Sequence, residues 1–576
     1  MKLSLRWRAL SFSLLMVGSA ACAADGAPKD VSSASTTSVA MSQRPGHAAI
    51  ASASSLATDA GLEVLAKGGN AFDAAVAVAS TLSVVEPESS GLGGGFMGVL
   101  HRAKDNHDTF IDARETAPMA VDTKDYVDAD GNPNRDASLK GPLSAGIPGE
   151  PAGLVLIAKR YGRLPLKQSL APAIRLASQG FQPDARLLGA INSEQKNLQR
   201  WPASIAKYLP NGAPPAQGAT WRDPEQAKTL ELLAADGDDG FYHGETAEKL
   251  IAAVKAAGGK WTLADLAAYR AKERTPITVN YRGYRIVTAP PPSSGGVAIA
   301  EILNILSGYD LTKLDQAHRV HYVIEAMRRA FRDHNDYLGD PDFVSMPLDM
   351  LLSPFYADGL RQSILPDKAT PSSMLPAADA NQPGMHTTHF SIIDADGNMV
   401  GITSTVNYVL GSTFVAAGTG VLLNDEMDDF ALVPNKPNVY GLLGSVANAP
   451  KGGKRPLSSM SPSIVIGAHS TAVIGSPGGS TIITQVLEGI LNFIDGQSAK
   501  QIVADKRYHH QYMPDDVDVE DGVFDAPTSS ALTSMGYTLK PRESWGFMNV
   551  VTWDRKANQL DAASDPRHPS GLGKVQ

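Results

Sequence analysis

The sequence predicts an α+β protein whose helices and strands fall mostly in separate runs. Apolar residues recur at helical spacing over much of the first 334 residues, whereas strand patterns dominate from residue 384 onward. The two patterns do not alternate strictly, which argues against a doubly wound parallel sheet. With 43% hydrophobic and 19% charged residues, the chain can bury a sizeable core and does not have a disordered composition.

Turn and capping residues delimit the individual elements. Gly68-Gly69 ends the first predicted helix, and Asn70 is placed to cap the second. A turn ending at Gly397 joins two strand patterns into a hairpin. The predicted helices are 49–66, 71–84, 150–180, 225–270, 295–334 and 480–494. The predicted strands are 97–101, 389–393, 399–406, 420–423, 463–466 and 471–474.

The amino terminus has the pattern of an export signal. Three basic residues precede a short apolar stretch, 9–17, and small residues follow it. That stretch is too short to span a bilayer, which needs about 20 residues. We therefore predict a signal peptide at 1–23, cleaved after Ala23, and a periplasmic protein. Ser19-Ala-Ala-Cys22 also resembles a lipoprotein box, so a lipid anchor through Cys22 is the alternative, and secretion is a third possibility. No other segment predicts a membrane span.

Composition excludes several classes of function. The formal net charge is −9 and no long basic run occurs, so nucleic acid is not an expected partner. Cys22 is the single cysteine, which excludes an internal disulfide framework and a thiolate metal cluster.

Two short patterns match known motifs only by their letters. Gly93-x-Gly95-x-x-Gly98 precedes a strand pattern rather than a helix, so we interpret it as a tight loop that needs the φ angles of glycine. The histidine pairs lack the frame of a zinc protease and are interpreted as ordinary hydrogen-bonded side chains: His386 with His389, and His509 with His510.

Thr387 lies where a loop rich in Pro, Ala and Asp, 366–384, meets the first strand of the hairpin. A threonine hydroxyl is a weak nucleophile, but a cut just before the residue would free its own α-amine to act as the base. Alone, a threonine pair in a strand is a weak signal, because β-branched residues favour strands.

Five further motifs accompany this threonine in a fixed order. They are Asp112-Ala-Arg-Glu-Thr-Ala-Pro118, Thr403-x-Thr405-x-Asn407, Leu423-Asn-Asp-Glu-Met-Asp-Asp-Phe430, Lys454-Arg-Pro-Leu-Ser-Ser-Met-Ser-Pro462 and Gly475-Ser-Pro-Gly-Gly-Ser480. With them the chain resembles the γ-glutamyltranspeptidases, or glutathione hydrolases, from about residue 45 to Gly571. The last two motifs are the ones specific to that family.

The resemblance implies a fold and a maturation step. The fold is that of the N-terminal nucleophile hydrolases, a four-layer αββα sandwich. The family is made as one precursor that cuts itself, here between His386 and Thr387. A large subunit, 24–386, and a small subunit, 387–576, would then form one αββα unit and remain associated. No metal or organic cofactor is implied.

The resemblance also implies the reaction. Thr387 would attack the acyl group of glutathione or another γ-glutamyl compound. The acyl-enzyme would pass its γ-glutamyl group to water, or to the amine of an amino acid or dipeptide. Thr405 would position the nucleophile, and the backbone N–H groups of Gly478 and Gly479 would bind the oxyanion.

The glutamyl group presents an α-carboxylate and an α-ammonium, and each needs a partner. Arg114, with the hydroxyls of Ser458 and Ser459, is assigned to the carboxylate. The ammonium is assigned to acceptors at Asn407, Glu426 and Asp429. Tyr440 belongs to a segment, 434–444, that resembles the family's lid loop. Two simpler interpretations stay open: a surface ion pair of Arg114 with Glu115, and a solvated acidic run at 426–429.

Two rival functions remain. A glutaryl or cephalosporin acylase of the same fold would cleave amides with a similar acyl arm but without the α-ammonium. A non-processed exported binding protein would keep the pocket and leave Thr387 inside an unbroken chain.

Overall fold

The structure, a computed structural model, describes residues 43–375, 387–433, 436, 438–439 and 445–576. The predicted signal peptide, Cys22, His386 and Tyr440 lie outside this part of the chain. The helices of the described residues are α1 (Ser55–Ala66), α2 (Ala71–Val85), α3 (Arg135–Leu139), α4 (Glu150–Tyr161), α5 (Leu166–Gln179), α6 (Ala185–Ser193), α7 (Gln195–Leu198), α8 (Pro202–Tyr208), α9 (Pro224–Asp236), α10 (Asp239–Tyr242), α11 (Gly244–Ala256), α12 (Leu263–Ala268), α13 (Gly295–Leu306), α14 (Gln316–Tyr337), α15 (Leu348–Leu351), α16 (Pro354–Arg361), α17 (Thr481–Ile494), α18 (Ala499–Ala504) and α19 (Ala526–Met535).

The strands of the same part of the chain are β1 (Ala49–Ser52), β2 (Gly95–Arg102), β3 (His107–Ala113), β4 (Lys272–Arg274), β5 (Ile277–Tyr281), β6 (Tyr284–Thr288), β7 (Thr388–Ile393), β8 (Met399–Thr405), β9 (Val415–Ala416), β10 (Val421–Leu422), β11 (Ser463–Ile466), β12 (Ser470–Gly475), β13 (Tyr508–His509), β14 (Val517–Glu520), β15 (Leu539–Arg542), β16 (Asn549–Asp554), β17 (Gln559–Ser564) and β18 (Leu572–Val575).

Two antiparallel sheets form the centre of the molecule. One has seven strands in the order β18-β1-β7-β8-β2-β3-β4, and the other has six in the order β17-β16-β12-β11-β6-β5. Strands β7 and β8 of the first sheet contact β12 and β16 of the second, so the sheets pack face to face. Helices α1, α2 and α4 pack on the first sheet, and α13, α17 and α18 pack on the second. The layers therefore follow the predicted αββα order.

Apolar side chains fill the space between the two sheets. Met97 and Val99 of β2 belong to the same buried cluster as Val473 of β12 and Val551 of β16. Burial of this kind is the main favourable contribution to folding.

Each sheet contains strands from both sides of Thr387. The seven-stranded sheet combines β1–β4 with β7, β8 and β18, and the six-stranded sheet combines β5 and β6 with four later strands. The chain on either side of Thr387 therefore cannot complete either sheet alone.

The structure differs from the sequence predictions at several elements. The predicted helix 49–66 begins only at Ser55, because Ala49–Ser52 pairs with β18 and β7 as a sheet strand. The predicted helical region 295–334 is two helices, α13 and α14, separated by a turn. Strands β3 to β6 and the strands after residue 507 were not predicted. Asn70 does cap α2, in a reciprocal capping box with Asp73.

The glycines at 91–95 have a different role from the predicted one. Of these, only Gly91 has a positive φ. A Cβ on Gly93 would lie 1.9 Å from the Leu422 carbonyl oxygen, and one on Gly94 would lie 2.1 Å from that of Thr405. Gly93 and Gly94 are therefore required by close backbone packing against β10 and β8 rather than by unusual φ angles.

The shared sheets predict how a chain cut between residues 386 and 387 behaves. Separation would expose the core between the sheets and leave strands of both unpaired, so the two pieces should migrate as one particle. Native gel filtration and a denaturing gel of the same sample test this. Two fragments on the denaturing gel with one native peak are expected, whereas two separate native peaks would contradict the prediction.

Candidate active site

The pairing of β7 with β8 brings two threonine hydroxyls together. Thr388 pairs with Ser404, so Thr387 lies opposite Thr405, and their Oγ1 atoms are 3.2 Å apart. The Thr405 hydroxyl also accepts a hydrogen bond of 2.8 Å from the Asn407 N–H, at the end of β8. The Thr405 hydroxyl thus contacts both the Thr387 hydroxyl and the backbone that follows β8.

Thr387 lines a pocket with an empty volume of about 600 Å³, which includes the space where the pocket opens to solvent. Most of the residues predicted for the site converge there from distant parts of the chain. Gly478 and Glu426 are adjacent to lining residues but do not line the pocket themselves. The predicted residues that line it are Arg114, Thr387, Thr405, Asn407, Asp429, Ser458, Ser459 and Gly479.

Arg114 is buried among carboxylates. Its side chain is 1% exposed, and it pairs with Glu426 at 2.6 Å and with Asp429. The nearest Glu115 oxygen is 3.6 Å away. The guanidinium also donates to the backbone carbonyl of Leu457 at 3.1 Å. The predicted alternative of a surface ion pair with Glu115 is therefore wrong.

The acidic run is part of the interior. Glu426 and Asp428 are fully buried, and the Asp429 side chain is 13% exposed. Asp428 accepts hydrogen bonds from Arg135 and from Ser138, so it faces away from Arg114. The alternative of a solvated acidic run is therefore also wrong.

Burial and charge pairing set the pKa values of this cluster. Burial alone would lower the pKa of Arg114, but the carboxylates of Glu426 and Asp429 more than compensate, and the net shift is upward. Burial raises the pKa of Glu426 despite the attraction of Arg114. Burial also raises the pKa of Glu115 to about 8, with Arg114 opposing the shift.

The serine pair is held by a loop from the other half of the chain. The Ser458 carbonyl accepts hydrogen bonds of 2.8 Å from both the N–H and the hydroxyl of Ser294, and the Ser458 N–H donates to the Pro292 carbonyl. Ser458 and Ser459 are 5% and 8% exposed and line the pocket. The backbone at this wall of the pocket is thus fixed against the segment that precedes α13.

The loop between β12 and α17 forms another wall of the pocket. Gly478 and Gly479 have φ angles of +143° and +58°, which favour glycine. The adjoining N-terminus of α17 carries the partial positive charge of the helix dipole.

Comparison with known proteins identifies the family. A family model for gamma-glutamyltranspeptidase matches residues 57–574. The chain belongs to the gamma-glutamyltranspeptidase family. It is 42% identical to a glutathione hydrolase proenzyme of Pseudomonas sp. (strain A14), over 91% of this chain and 93% of that one. It is also 42% identical to the glutathione hydrolase proenzyme of Escherichia coli (strain K12), over 91% of each chain.

Solved structures confirm the predicted N-terminal nucleophile hydrolase fold. A cephalosporin acylase from Bacillus halodurans is 29% identical with a TM-score of 0.80, over 92% of this chain and 95% of that chain. A γ-glutamyltranspeptidase from Helicobacter pylori is 37% identical with a TM-score of 0.54, over 55% of this chain and 92% of that chain.

Several pocket residues were not predicted from the sequence. His334 of α14 lines the pocket, and burial lowers its pKa to about 4, so the imidazole is neutral at pH 7. Asn448 lines the pocket and donates to the Asp429 carbonyl at 2.7 Å. Lys436 and Asn438 line it from the predicted lid segment, and the Asn438 amide donates to Asp429 at 3.2 Å. No local pattern distinguishes these side chains from ordinary surface or core residues.

The histidines at 389, 509 and 510 are hydrogen-bonded side chains, as predicted. His389 bonds the hydroxyls of Thr403 and Ser391. His509 bonds Thr484, and His510 bonds Asp515.

Among the described residues, none of the helices combines the length and apolar composition that a bilayer crossing requires.

Glu115 predicts a measurable dependence of stability on pH. Its raised pKa means that folding favours the protonated carboxyl, so this stabilisation is complete below about pH 4.5 and is lost as the pH rises through about 8. Glu115→Gln, which keeps the neutral shape, should therefore melt above the wild type at pH 8 to 9 and close to it at pH 4.5. Thermal melts across this range are the measurement.

The control for this experiment is Glu248→Gln, at an exposed position on α11. It should reproduce the wild-type curve. An equal difference between Glu115→Gln and the wild type at both ends of the pH range would contradict the burial argument.

Proposed function

We propose that this chain is a self-processing γ-glutamyltransferase and glutathione hydrolase with Thr387 as its nucleophile. The observation that carries the proposal is the hydroxyl pair Thr387–Thr405 in a pocket that also holds a buried guanidinium and its carboxylate partners. The relatives named glutathione hydrolase proenzymes support the same activity.

The charges of the pocket match a γ-glutamyl group. Without substrate, Arg114 is paired with Glu426 and Asp429. A zwitterionic glutamyl head can enter this cluster without adding net charge: its α-carboxylate pairs with Arg114, and its α-ammonium with the two acids. The hydroxyls of Ser458 and Ser459 complete the carboxylate site, and the side-chain carbonyl of Asn407 adds an acceptor for the ammonium.

The chemistry starts at the free amino group of Thr387. This amine takes the proton of the Thr387 hydroxyl while Oγ1 attacks the γ-carbonyl carbon. The carbonyl oxygen becomes an oxyanion that the N–H groups of Gly478 and Gly479 stabilise. The amide C–N bond then breaks, and the leaving amine takes the proton back from the α-ammonium of Thr387. Thr405 holds Oγ1 in place through these steps.

Release of the acyl group repeats these steps in reverse order. Water or the amine of an amino acid or dipeptide attacks the ester carbonyl, again through an oxyanion. Water gives glutamate, and an amine gives a new γ-glutamyl amide. Glutathione is the donor that the names of the relatives support.

Maturation precedes catalysis in this proposal. The signal peptide, 1–23, directs the chain to the periplasm. The precursor then cuts itself before Thr387 into subunits 24–386 and 387–576, which remain a heterodimer. The lid segment, including Tyr440, covers bound substrate. Contacts of Asn438 with Asp429 and of Val439 with Asp428 support a lid at this position.

A glutaryl or cephalosporin acylase is the second candidate, which the similarity to the Bacillus halodurans acylase favours. A glutaryl group has the carboxylate and lacks the ammonium. Its carboxylate would be a third negative charge beside the one guanidinium of Arg114, and no ammonium would offset the charges of Glu426 and Asp429. Buried negative charge would then remain uncompensated. The acid pair therefore favours the γ-glutamyl substrate.

The intact mass of the purified mature protein tests self-processing. We expect two chains of about 38 and about 20 kDa, at about 105 Da per residue, with the smaller beginning at Thr387. Thr387→Ala should remain a single inactive chain. Thr388→Val is the matched control, because the buried Thr388 hydroxyl has no hydrogen-bond partner in the described structure. An uncut wild-type chain in folded protein would favour the binding-protein alternative.

Paired anilide substrates test the recognition of the ammonium. The kcat/KM of γ-glutamyl anilide should exceed that of glutaryl anilide by about 100-fold, the effect of roughly one charge-assisted contact of 2–3 kcal/mol. Asp429→Asn should reduce this ratio about tenfold or more. Asp428→Asn, which alters the adjacent acid facing Arg135, should leave the ratio unchanged. A higher rate for the glutaryl substrate would establish the acylase instead.

A further inference from the structure

We propose that Gln485 and Thr481 of α17 are positioning residues that aim the two oxyanion donors at the substrate. The proposal concerns the loop 475–480 between β12 and α17 and rests on the function proposed above. Both side chains are fully buried, and neither lines the pocket. They act on the reaction through the backbone.

Gln485 binds the loop with both ends of its amide. Its Oε1 accepts a hydrogen bond of 2.7 Å from the Ser476 hydroxyl. Its Nε2 donates to the Pro477 carbonyl at 3.0 Å and to the Thr481 hydroxyl oxygen at 2.9 Å. The Pro477 carbonyl can only accept, so the atom facing it must be the amide nitrogen.

Thr481 extends this network to the next carbonyl. Its hydroxyl accepts from Gln485 and donates its own proton to the Gly478 carbonyl at 2.7 Å. Two successive carbonyls, of Pro477 and Gly478, are therefore held by a single chain of side-chain hydrogen bonds.

Holding a carbonyl also directs the N–H of the same peptide unit. The Pro477–Gly478 and Gly478–Gly479 bonds are trans, and in a planar trans peptide the N–H points opposite to the C=O. The Gly478 and Gly479 N–H groups are thus turned away from Gln485 and Thr481. Neither donates to another residue in the described part of the chain. Gly479 lines the pocket with Thr387.

The same two side chains explain the glycine at 478. A Cβ there would lie 2.5 Å from both Gln485 Nε2 and Thr481 Oγ1. The polar groups that bind the two carbonyls therefore occupy the space that a side chain at residue 478 would need. An oxyanion hole requires fixed donors because its advantage lies in dipoles that do not reorganise during the reaction.

Steady-state kinetics of processed variants test the proposal with γ-glutamyl anilide. Gln485→Leu removes the network, and Gln485→Glu keeps the acceptor for Ser476 but replaces the two amide protons that reach Pro477 and Thr481 by at most one carboxyl proton. Thr481→Val removes the donor to Gly478, whereas Thr481→Ser retains it. We expect kcat to fall about 10- to 100-fold in the first three variants, less than the loss of one donor outright. KM should stay within about threefold, because the oxyanion exists only after attack. Thr481→Ser should remain near wild type.

Gln226→Leu is the matched control, since Gln226 is also a buried glutamine that donates to a backbone carbonyl, that of Ser83, outside the pocket. It should leave kcat unchanged.

A γ-boronate analogue of glutamate forms a tetrahedral adduct with the nucleophile. In the Gln485 and Thr481 variants its binding should weaken in parallel with kcat, whereas the binding of glutamate itself should not weaken.

Unchanged kcat in both Gln485 variants and in Thr481→Val would overturn the proposal, as would a loss in Thr481→Ser equal to that in Thr481→Val. If Gln485→Leu does not fold or process, the Thr481 pair decides the question. Wild-type protein without activity on γ-glutamyl anilide would instead refute the proposed function.

Discussion

The pairing of β7 with β8 is the constraint on which the site depends. It places Thr387 directly opposite Thr405, at the point where the chain enters the centre of the seven-stranded sheet. Strand β7 also packs against β12, and Gly479 in the loop that follows β12 lines the same pocket as Thr387. The nucleophile and the glycine N–H groups are thus fixed relative to each other by the contact between the two sheets. Rigid elements of this kind hold catalytic geometry better than loops alone can.

Electrostatics impose the second constraint. A guanidinium buried as completely as that of Arg114 needs compensating charge, which Glu426 and Asp429 supply. The same three groups are those that a glutamyl zwitterion would engage. Because a zwitterion adds no net charge, the charge of the cluster is the same with and without substrate, and the fold does not have to keep an isolated charge out of water in the absence of ligand.

The sequence predicts the local features of the fold better than its long-range ones. The Asn70 cap and the hairpin of β7 and β8 depend on neighbouring residues and are found as predicted. Ala49–Ser52 was predicted as helix, because its apolar residues continue the helical period of α1, and only its pairing with β18 and β7 makes it a strand. Strand β5 alternates buried and exposed residues, so its sequence does carry the period of two that is typical of a strand.

The site shows the same division. The ordered motifs predict most of the residues that line the pocket, but they do not predict that Arg114 is paired with Glu426 and Asp429. His334 and Gln485 carry no local signal, because their roles come from packing between distant elements.

Some buried polar groups at the site lack hydrogen-bond partners among the described residues. Both carboxylate oxygens of the buried Glu115 lack a hydrogen-bond partner in the described structure, beside Arg114. The N–H groups of Gly478 and Gly479 donate to no described residue. Each unsatisfied buried polar group costs about 1–3 kcal/mol, and proteins retain few of them. An oxyanion hole needs this state, since a donor satisfied within the protein would have to break its bond before it could stabilise the transition state. The hydrogen bonds of Gln485 and Thr481 resolve the conflict: they satisfy the carbonyls of the loop and leave its N–H groups free to act.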